Sequence, residues 1–287
     1  KYGIWSSYSW SEFYDNSRII GLALLSMGFK RGEVVSILSE DSKEWIYTDL
    51  AVQSVGGITS GVYPTDSARQ LVYLVNDSDT QFLFLENDEQ LDKYLSVSDQ
   101  MPKLKKVIVY EKDGLIDFDD PRVMFLTDLY EVGKIELEKK SGIFEKEIEA
   151  GKSEDTSILI YTSGTTGEPK GVEITGNNIM FSISAGGRSL PVFDNDEQLC
   201  FLPLCHILER LISVFQPIGA GSVINFAESS ETVFDNLQEV SPTIFTAVPR
   251  VWERIYSRVS IMTGEATPFG RWAFKKALAA GLNKIKA

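Results

Sequence analysis

The sequence predicts an α/β protein built around a largely parallel sheet, and three features of the 287 residues lead to that prediction. Short apolar runs alternate with amphipathic segments between residues 34 and 110, which is the pattern of βαβ units. Hydrophobic residues make up 43% and charged residues 24% of the chain, a globular composition. The length exceeds one average domain and favours two subdomains or one large α/β unit.

The first part of the chain contains the clearest strand and helix patterns. Strands are predicted at 34–38, 58–63, 81–85 and 106–110, and helices at 45–55 and 67–76. Ser39 and Asp41 are candidate N-caps of the first of these helices. Residues 111–150 are mostly charged and weakly periodic, so we expect an acidic surface excursion with one helix near 137–150.

A second α/β segment is expected from residue 151 onwards. Strands are predicted at 158–161, 171–174, 198–204, 222–226 and 243–247, and helices at 177–189 and 206–215. The run 171–174 looks like the returning partner of 158–161. We therefore expect a first α/β subdomain at 1–150 and a second, incomplete one at 151–287.

Charge and composition disfavour several classes of partner. The net charge of −13 disfavours binding to nucleic acid and to anionic lipid, although a local basic patch would still accommodate ATP. Two cysteines and one histidine are too few for a typical structural zinc site and fit a reducing cytosol. No apolar run reaches the roughly 18 residues of a transmembrane helix. We expect a cytoplasmic protein, and peripheral membrane attachment stays open.

The stretch 161–171 has the composition of a phosphate-binding loop and follows a predicted strand. Gly164 and Gly167 permit a tight turn that exposes backbone N–H groups, and Lys170 supplies a cation. The hydroxyl side chains that would donate to phosphate oxygens are those of Thr162, Ser163, Thr165 and Thr166. The spacing differs from the Walker A and dinucleotide-binding motifs, which disfavours a P-loop kinase or GTPase. The alternative interpretation is a polar surface turn.

The string 161–171 resembles the signature loop of the adenylate-forming superfamily, which includes acyl-CoA synthetases, luciferases and adenylation domains. Residues 202–210 resemble the next shared segment, with Cys205 in place of the usual serine. Residues 246–255 and 61–65 resemble the long-chain fatty-acyl-CoA synthetases. The resemblance implies the stacked βαβ subdomains of the large N-terminal domain of these enzymes, in truncated form.

This resemblance also implies a function and roles for individual residues. A long-chain fatty acid would react with ATP and Mg²⁺ to form an acyl-adenylate, and coenzyme A would then accept the acyl group. His206 would lie beside the adenylate and the carboxylate, and Lys170 and the loop 162–167 would hold the phosphates. Thr162 is the candidate magnesium ligand. Glu209 and Arg210 are expected to form a structural ion pair or to act as helix-terminal charges.

Several parts of the family pattern do not occur in the chain. Its Tyr-Gly-x-Thr-Glu segment, its ribose-binding aspartate and its mobile C-terminal domain with a catalytic lysine are missing. We therefore expect a fragment that is inactive by itself. Two alternatives stay open: a fatty-acyl-AMP ligase that serves a carrier protein, and a catalytically inactive nucleotide- or lipid-binding module.

Overall fold

The fold is taken from a computed structural model that describes residues 3–115, 117–139, 142–162 and 167–286. The chain divides into two compact units, Lys1–Ile244 and Phe245–Ala287. The first unit contains the sheets and the candidate site. The second unit consists of two helices, α11 at Pro249–Glu265 and α12 at Pro268–Lys286, and a proline at the first helical turn begins each of them.

In the described part of the first unit, seven strands form one sheet in the order β5-β4-β3-β1-β2-β6-β7. All neighbouring pairs are parallel except β6 and β7, which form an antiparallel hairpin at one edge. The strands are β1 Val34–Leu38, β2 Ile58–Val62, β3 Thr80–Leu85, β4 Lys106–Val109, β5 Val123–Phe125, β6 Thr156–Thr162 and β7 Lys170–Thr175. A parallel pair, β8 Glu197–Cys200 and β9 Val223–Phe226, forms a second small sheet.

Helices connect and cover these strands. They are α1 Trp10–Ser26, α2 Lys43–Ser54, α3 Ala68–Asp77, α4 Asp88–Leu95, α5 Leu126–Glu138, α6 Ile143–Glu149, α7 Gly176–Ser189, α8 Ile207–Arg210, α9 Gln216–Ala220 and α10 Val233–Val240, with a 3₁₀ turn at Ser98–Gln100 and a π-helical turn at Leu211–Phe215. Side-chain caps begin several of them: Ser9 and Ser67 form capping boxes, and Ser42 caps α2.

The large sheet is covered by apolar side chains on both faces. In β3, Phe82 and Phe84 belong to one core cluster and Leu83 and Leu85 to the other, as the two-residue period of a strand requires. Every residue of β1 is buried. A sheet buried on both faces is typical of parallel α/β proteins and accounts for the continuous apolar runs of its strands.

Most of the predicted elements are confirmed, and four predictions are wrong. The N-cap of α2 is Ser42, not Ser39 or Asp41, because the Ser42 hydroxyl accepts from Trp45 N–H. The region 111–150 is more ordered than a surface excursion, since it supplies β5 to the sheet and α5, whose Leu129 is buried in the core.

The other two corrections concern the second half. The strand predicted at 198–204 ends at Cys200, where the chain turns toward His206. Of the strand predicted at 243–247, only Ile244 pairs among the described residues, as an isolated bridge to Gln198. The subdomain boundary near residue 150 stays a prediction; strands from both sides of it lie in one sheet.

Candidate functional site

The predicted phosphate loop connects the two strands of the edge hairpin. Thr162, the last residue of β6, lies opposite Lys170, the first residue of β7. Both side chains are exposed. Gly167 adopts φ = 108°, a backbone conformation that favours glycine. The remaining candidates, Ser163, Gly164, Thr165 and Thr166, lie outside the described residues.

Helix α3 contacts both sides of the hairpin near the loop. The Tyr73 hydroxyl donates to the Pro169 carbonyl at 2.8 Å, directly beside Lys170. The Tyr161 hydroxyl donates to Asp77 Oδ2 at 2.7 Å, and the rings of Tyr73 and Tyr161 meet edge to face with centroids 6.5 Å apart. Burial and the Asp77 carboxylate raise the pKa of Tyr161, so it stays a donor at neutral pH. Sequence patterns gave no sign of this contact.

His206 caps the short helix α8. Its Nδ1 atom accepts the Leu208 N–H at 3.2 Å, which requires a lone pair on Nδ1. In the neutral ring the proton then resides on Nε2, and that nitrogen is a donor. The side chain is exposed. The ring can therefore donate one hydrogen bond from Nε2 to an anionic group outside the helix.

The turn that carries His206 packs on the carboxyl edge of the large sheet. His206 N–H donates to the Pro203 carbonyl at 2.8 Å and closes the turn. Asp41, just after β1, accepts the Leu204 N–H at 2.8 Å. Gly61 in β2 approaches Cys205 so closely that an added Cβ would lie 2.6 Å from its Cα atom. Glycine is required there because backbone on the other side cannot move away.

The strand pairing brings the two predicted site segments to one edge of the sheet. Strand β2 is parallel to β6, with Thr59 opposite Ile158 and Ser60 opposite Leu159. The carboxyl ends of β2 and β6 therefore point in the same direction. The His206 turn sits at the end of β2 and the phosphate loop follows β6. Ligands of open α/β sheets bind at this edge.

Glu209 and Arg210 are buried, and the structure separates their roles. Arg210 pairs with Asp49 of α2 and lies over the Trp45 ring at 4.9 Å, so the expected ion pair exists but not with Glu209. Glu209 accepts from Ser213 at 2.8 Å and from Phe201 N–H at 3.2 Å. Burial raises the pKa of Glu209, and these donors oppose that shift.

Burial also raises the pKa of the Asp41 carboxyl, to about 8. The Leu204 N–H lowers this pKa, whereas the charges of Glu209 and Glu40 raise it further. Cys200 Sγ lies 3.8 Å from Asp41 Oδ2. Both cysteines are free and buried, and burial raises the pKa of each thiol, so neither is a reactive thiolate.

A cleft of about 700 Å³ lies at the carboxyl ends of β1, β3 and β4. Its walls include Glu40, Glu86, Glu111 and Glu197, and Lys43 is the single basic residue among its described lining residues. Neither Lys170 nor His206 lines it. Such a negative cleft repels phosphate and carboxylate groups, so we do not assign it to ATP or to a fatty acid.

The only metal ligand that the sequence predicts is Thr162, as a contact of magnesium. Among the described residues, no three histidine, cysteine, aspartate or glutamate side chains are grouped to hold a metal ion. Magnesium needs no such group, because it keeps several waters and binds substrate phosphates with one or two protein oxygens. The exposed Thr162 hydroxyl fits that requirement. Within the described helices, none has both the length and the apolar character to cross a bilayer.

Solved structures identify the class of this fold. The chain is similar to the anthranilate CoA ligase AuaEII bound to anthranoyl-AMP, with a TM-score of 0.67, 20% identity, and 82% of this chain and 43% of that chain covered. It is also similar to ATP-bound MatB from Rhodopseudomonas palustris, with a TM-score of 0.68, 18% identity, and coverage of 85% and 45%. The fold is that of the N-terminal domain of adenylate-forming enzymes, as the sequence predicted.

The chain belongs to the AMP-binding enzyme family, whose model matches residues 2–283. It is 31% identical over 292 aligned residues to the long-chain-fatty-acid–CoA ligase ACSBG2 of Xenopus laevis, with 98% of this chain and 39% of the relative covered. The human ACSBG2 ligase is 31% identical over 280 residues, with coverage of 94% and 40%. The chain thus spans about two fifths of the length of these curated relatives.

Proposed function

We propose that the full-length gene product is an AMP-forming ligase that activates a long-chain fatty acid with ATP and transfers the acyl group to coenzyme A. The observation that carries this proposal is the edge hairpin, which places Thr162 opposite Lys170 at the two ends of a hydroxyl- and glycine-rich loop. Family membership and the similarity to long-chain-fatty-acid–CoA ligases support the choice of reaction and substrate.

The hairpin loop would hold the β- and γ-phosphates of ATP. The proposed phosphate-binding residues are Thr162, Ser163, Gly164, Thr165, Thr166, Gly167 and Lys170. Lys170 would neutralise the pyrophosphate as it leaves, and preorganised donors of this kind stabilise developing charge without reorganisation. Thr162 would supply one oxygen to Mg²⁺, which neutralises phosphate charge when bound.

His206 would orient the fatty carboxylate by donating from Nε2 to one carboxylate oxygen. The other oxygen attacks the α-phosphorus of ATP, and the bond from that phosphorus to the pyrophosphate oxygen breaks. In the second step the thiol of coenzyme A loses its proton and attacks the acyl carbon, and AMP leaves. The apolar residues within 207–218 are the proposed contacts of the acyl chain.

The test is pyrophosphate release by the full-length gene product with fatty acids of increasing chain length, with and without coenzyme A. We expect release that depends on a long-chain acid, with acyl-CoA formed only when coenzyme A is present. Accumulation of acyl-AMP in both conditions would instead favour the acyl-AMP ligase. A folded protein that binds ATP but releases no pyrophosphate with any acid would contradict catalysis and favour a binding module.

A further inference from the structure

The turn at 203–206 is attached to the large sheet by contacts from two adjacent strands. After β1, Asp41 Oδ1 accepts the Leu204 N–H at 2.8 Å. From β2, Gly61 packs directly on Cys205. His206 is the next residue after this anchored pair, and its own N–H closes the turn on Pro203 at 2.8 Å. The position of the imidazole therefore follows from contacts that the two preceding residues make.

We propose that Asp41 is a positioning residue that fixes this turn, and with it His206, against the carboxyl edge of the large sheet. The inference rests on the proposed function, because it takes His206 to orient the fatty carboxylate. Asp41 acts through the Leu204 amide and does not need to touch a substrate. No role for Asp41 beyond a helix cap was evident from the sequence.

The neighbouring carboxylate Glu40 differs from Asp41 in its contacts. The Glu40 side chain is exposed, and its own N–H donates to Glu86 at 2.8 Å, away from the turn. The titratable groups that face Asp41 are Glu209 from α8, Cys200 from β8, Cys205 from the turn and Glu40 from its own loop. Burial and the charges of Glu209 and Glu40 favour the neutral carboxyl, whereas the Cys200 thiol, which donates to Asp41, opposes them. The carbonyl oxygen of the neutral acid still accepts the Leu204 N–H.

Two substitutions of Asp41 separate positioning from bulk stability. Asp41→Asn keeps an oxygen that accepts the Leu204 N–H and matches the shape of the neutral acid. Asp41→Ala removes the acceptor. Glu40→Gln is the matched control, since it neutralises the adjacent carboxylate and leaves the turn intact. Each variant of the full-length gene product is first checked for folding by circular dichroism and thermal unfolding.

Two measurements then decide the proposal. Fatty-acid-dependent pyrophosphate release should lose roughly 10-fold or more in kcat in Asp41→Ala, because small displacements of an orienting group are costly. Asp41→Asn and Glu40→Gln should stay within about twofold of wild type by the same argument. Hydrogen exchange of the Leu204 amide should accelerate by roughly fivefold in Asp41→Ala alone, as expected for one lost hydrogen bond.

The outcomes are distinguishable. Folded Asp41→Ala protein with wild-type kcat and unchanged Leu204 exchange would overturn the proposal, and so would an Asp41→Asn variant as impaired as Asp41→Ala. If the wild-type protein releases no pyrophosphate with any acid, the proposed function fails. In that case faster Leu204 exchange in Asp41→Ala supports Asp41 as the anchor of the turn, and unchanged exchange overturns it.

Discussion

At the residue scale, Lys170 is the cation on which the phosphate-binding proposal most depends. It is exposed at the start of β7, and within the described part of the chain no ion pair occupies its ammonium group. Strand pairing already holds the backbone of Lys170, so binding of an anionic ligand has to order only the side chain. This arrangement suits a residue whose ammonium group contacts the pyrophosphate while negative charge accumulates on it.

We expect Lys170→Ala to lower kcat/KM for ATP in fatty-acid-dependent pyrophosphate release by roughly 10- to 100-fold, since one charged donor to the phosphates is lost. The matched control is Lys152→Ala, which removes an exposed lysine outside the hairpin. Equal kinetics for the two variants would contradict the assignment of Lys170.

Asp41 predicts a pH effect on stability. The folded-state pKa of about 8 lies above the ordinary value of 3.8, so between these values the native state binds more protons than the unfolded state. The contribution of Asp41 to stability therefore falls as pH rises from about 4 to about 8. We expect wild type to lose more stability than Asp41→Asn across this range, as measured by urea unfolding. Identical pH dependence in both proteins would contradict the raised pKa of Asp41.

Sequence motifs identified individual site residues, but they did not predict which residues form hydrogen bonds or ion pairs with each other. Lys170 and His206 stand inside recognisable strings, so the sequence identifies them as candidates. Asp41 and Leu204 are 163 positions apart, and Asp49 and Arg210 are 161 positions apart. A single sequence carries no signal for pairs at such separation, and only the folded sheet brings them together.

At the scale of elements, a buried ion pair joins α2 to α8. The Asp49 and Arg210 side chains are fully buried, and the Arg210 guanidinium also lies over Trp45. A buried charge is costly unless an opposite charge pairs with it. Removal of either residue would therefore leave the other as an uncompensated charge in the core. The pair thereby fixes α8 relative to α2.

We expect Arg210→Met to destabilise the protein by about 3 to 5 kcal/mol, because it leaves Asp49 charged and unpaired in the core. The double variant Arg210→Met/Asp49→Leu should recover most of that loss. Urea unfolding of wild type, both single variants and the double variant measures the coupling. Additive losses in the double variant would contradict the pairing.

The contact between α3 and the hairpin gives a second prediction at this scale. Tyr73→Phe removes the hydrogen bond to the Pro169 carbonyl, and we expect KM for ATP to rise about fivefold, the equivalent of one hydrogen bond of about 1 kcal/mol. The change should leave kcat nearly unaffected. Tyr14→Phe, at an exposed tyrosine of α1, is the control. A Tyr73→Phe enzyme with unchanged KM would show that the hairpin holds its position without α3.

Strands and helices were predictable where the hydrophobic pattern of the segment agreed with its burial and pairing in the fold. Strand β7 was identified as the returning partner of β6, and the antiparallel register confirms it. The region 243–247 is apolar enough for a strand, yet only Ile244 finds a partner in the described chain. In 111–150, α5 was missed because the many charges obscure the residues, such as Leu126 and Leu129, that pack inward.

At the scale of the whole molecule, the sheet and the family agree on an adenylate-forming N-terminal domain. Two core clusters cover the large sheet, and its carboxyl edge presents both the His206 turn and the phosphate hairpin. The sequence predicted this class from the eleven residues at 161–171 and the nine at 202–210 that resemble the shared segments of the superfamily. Strand order was not predictable, since it depends on pairings between distant segments.

The most direct test of the central claim follows oxygen atoms. Full-length protein is given ATP, magnesium, coenzyme A and a long-chain fatty acid labelled with ¹⁸O in its carboxylate. Attack of the carboxylate on the α-phosphorus predicts one ¹⁸O atom in the AMP product and none in pyrophosphate, as read by mass spectrometry. Label in inorganic phosphate or pyrophosphate, or unlabelled AMP formed together with acyl-CoA, would contradict the adenylate mechanism.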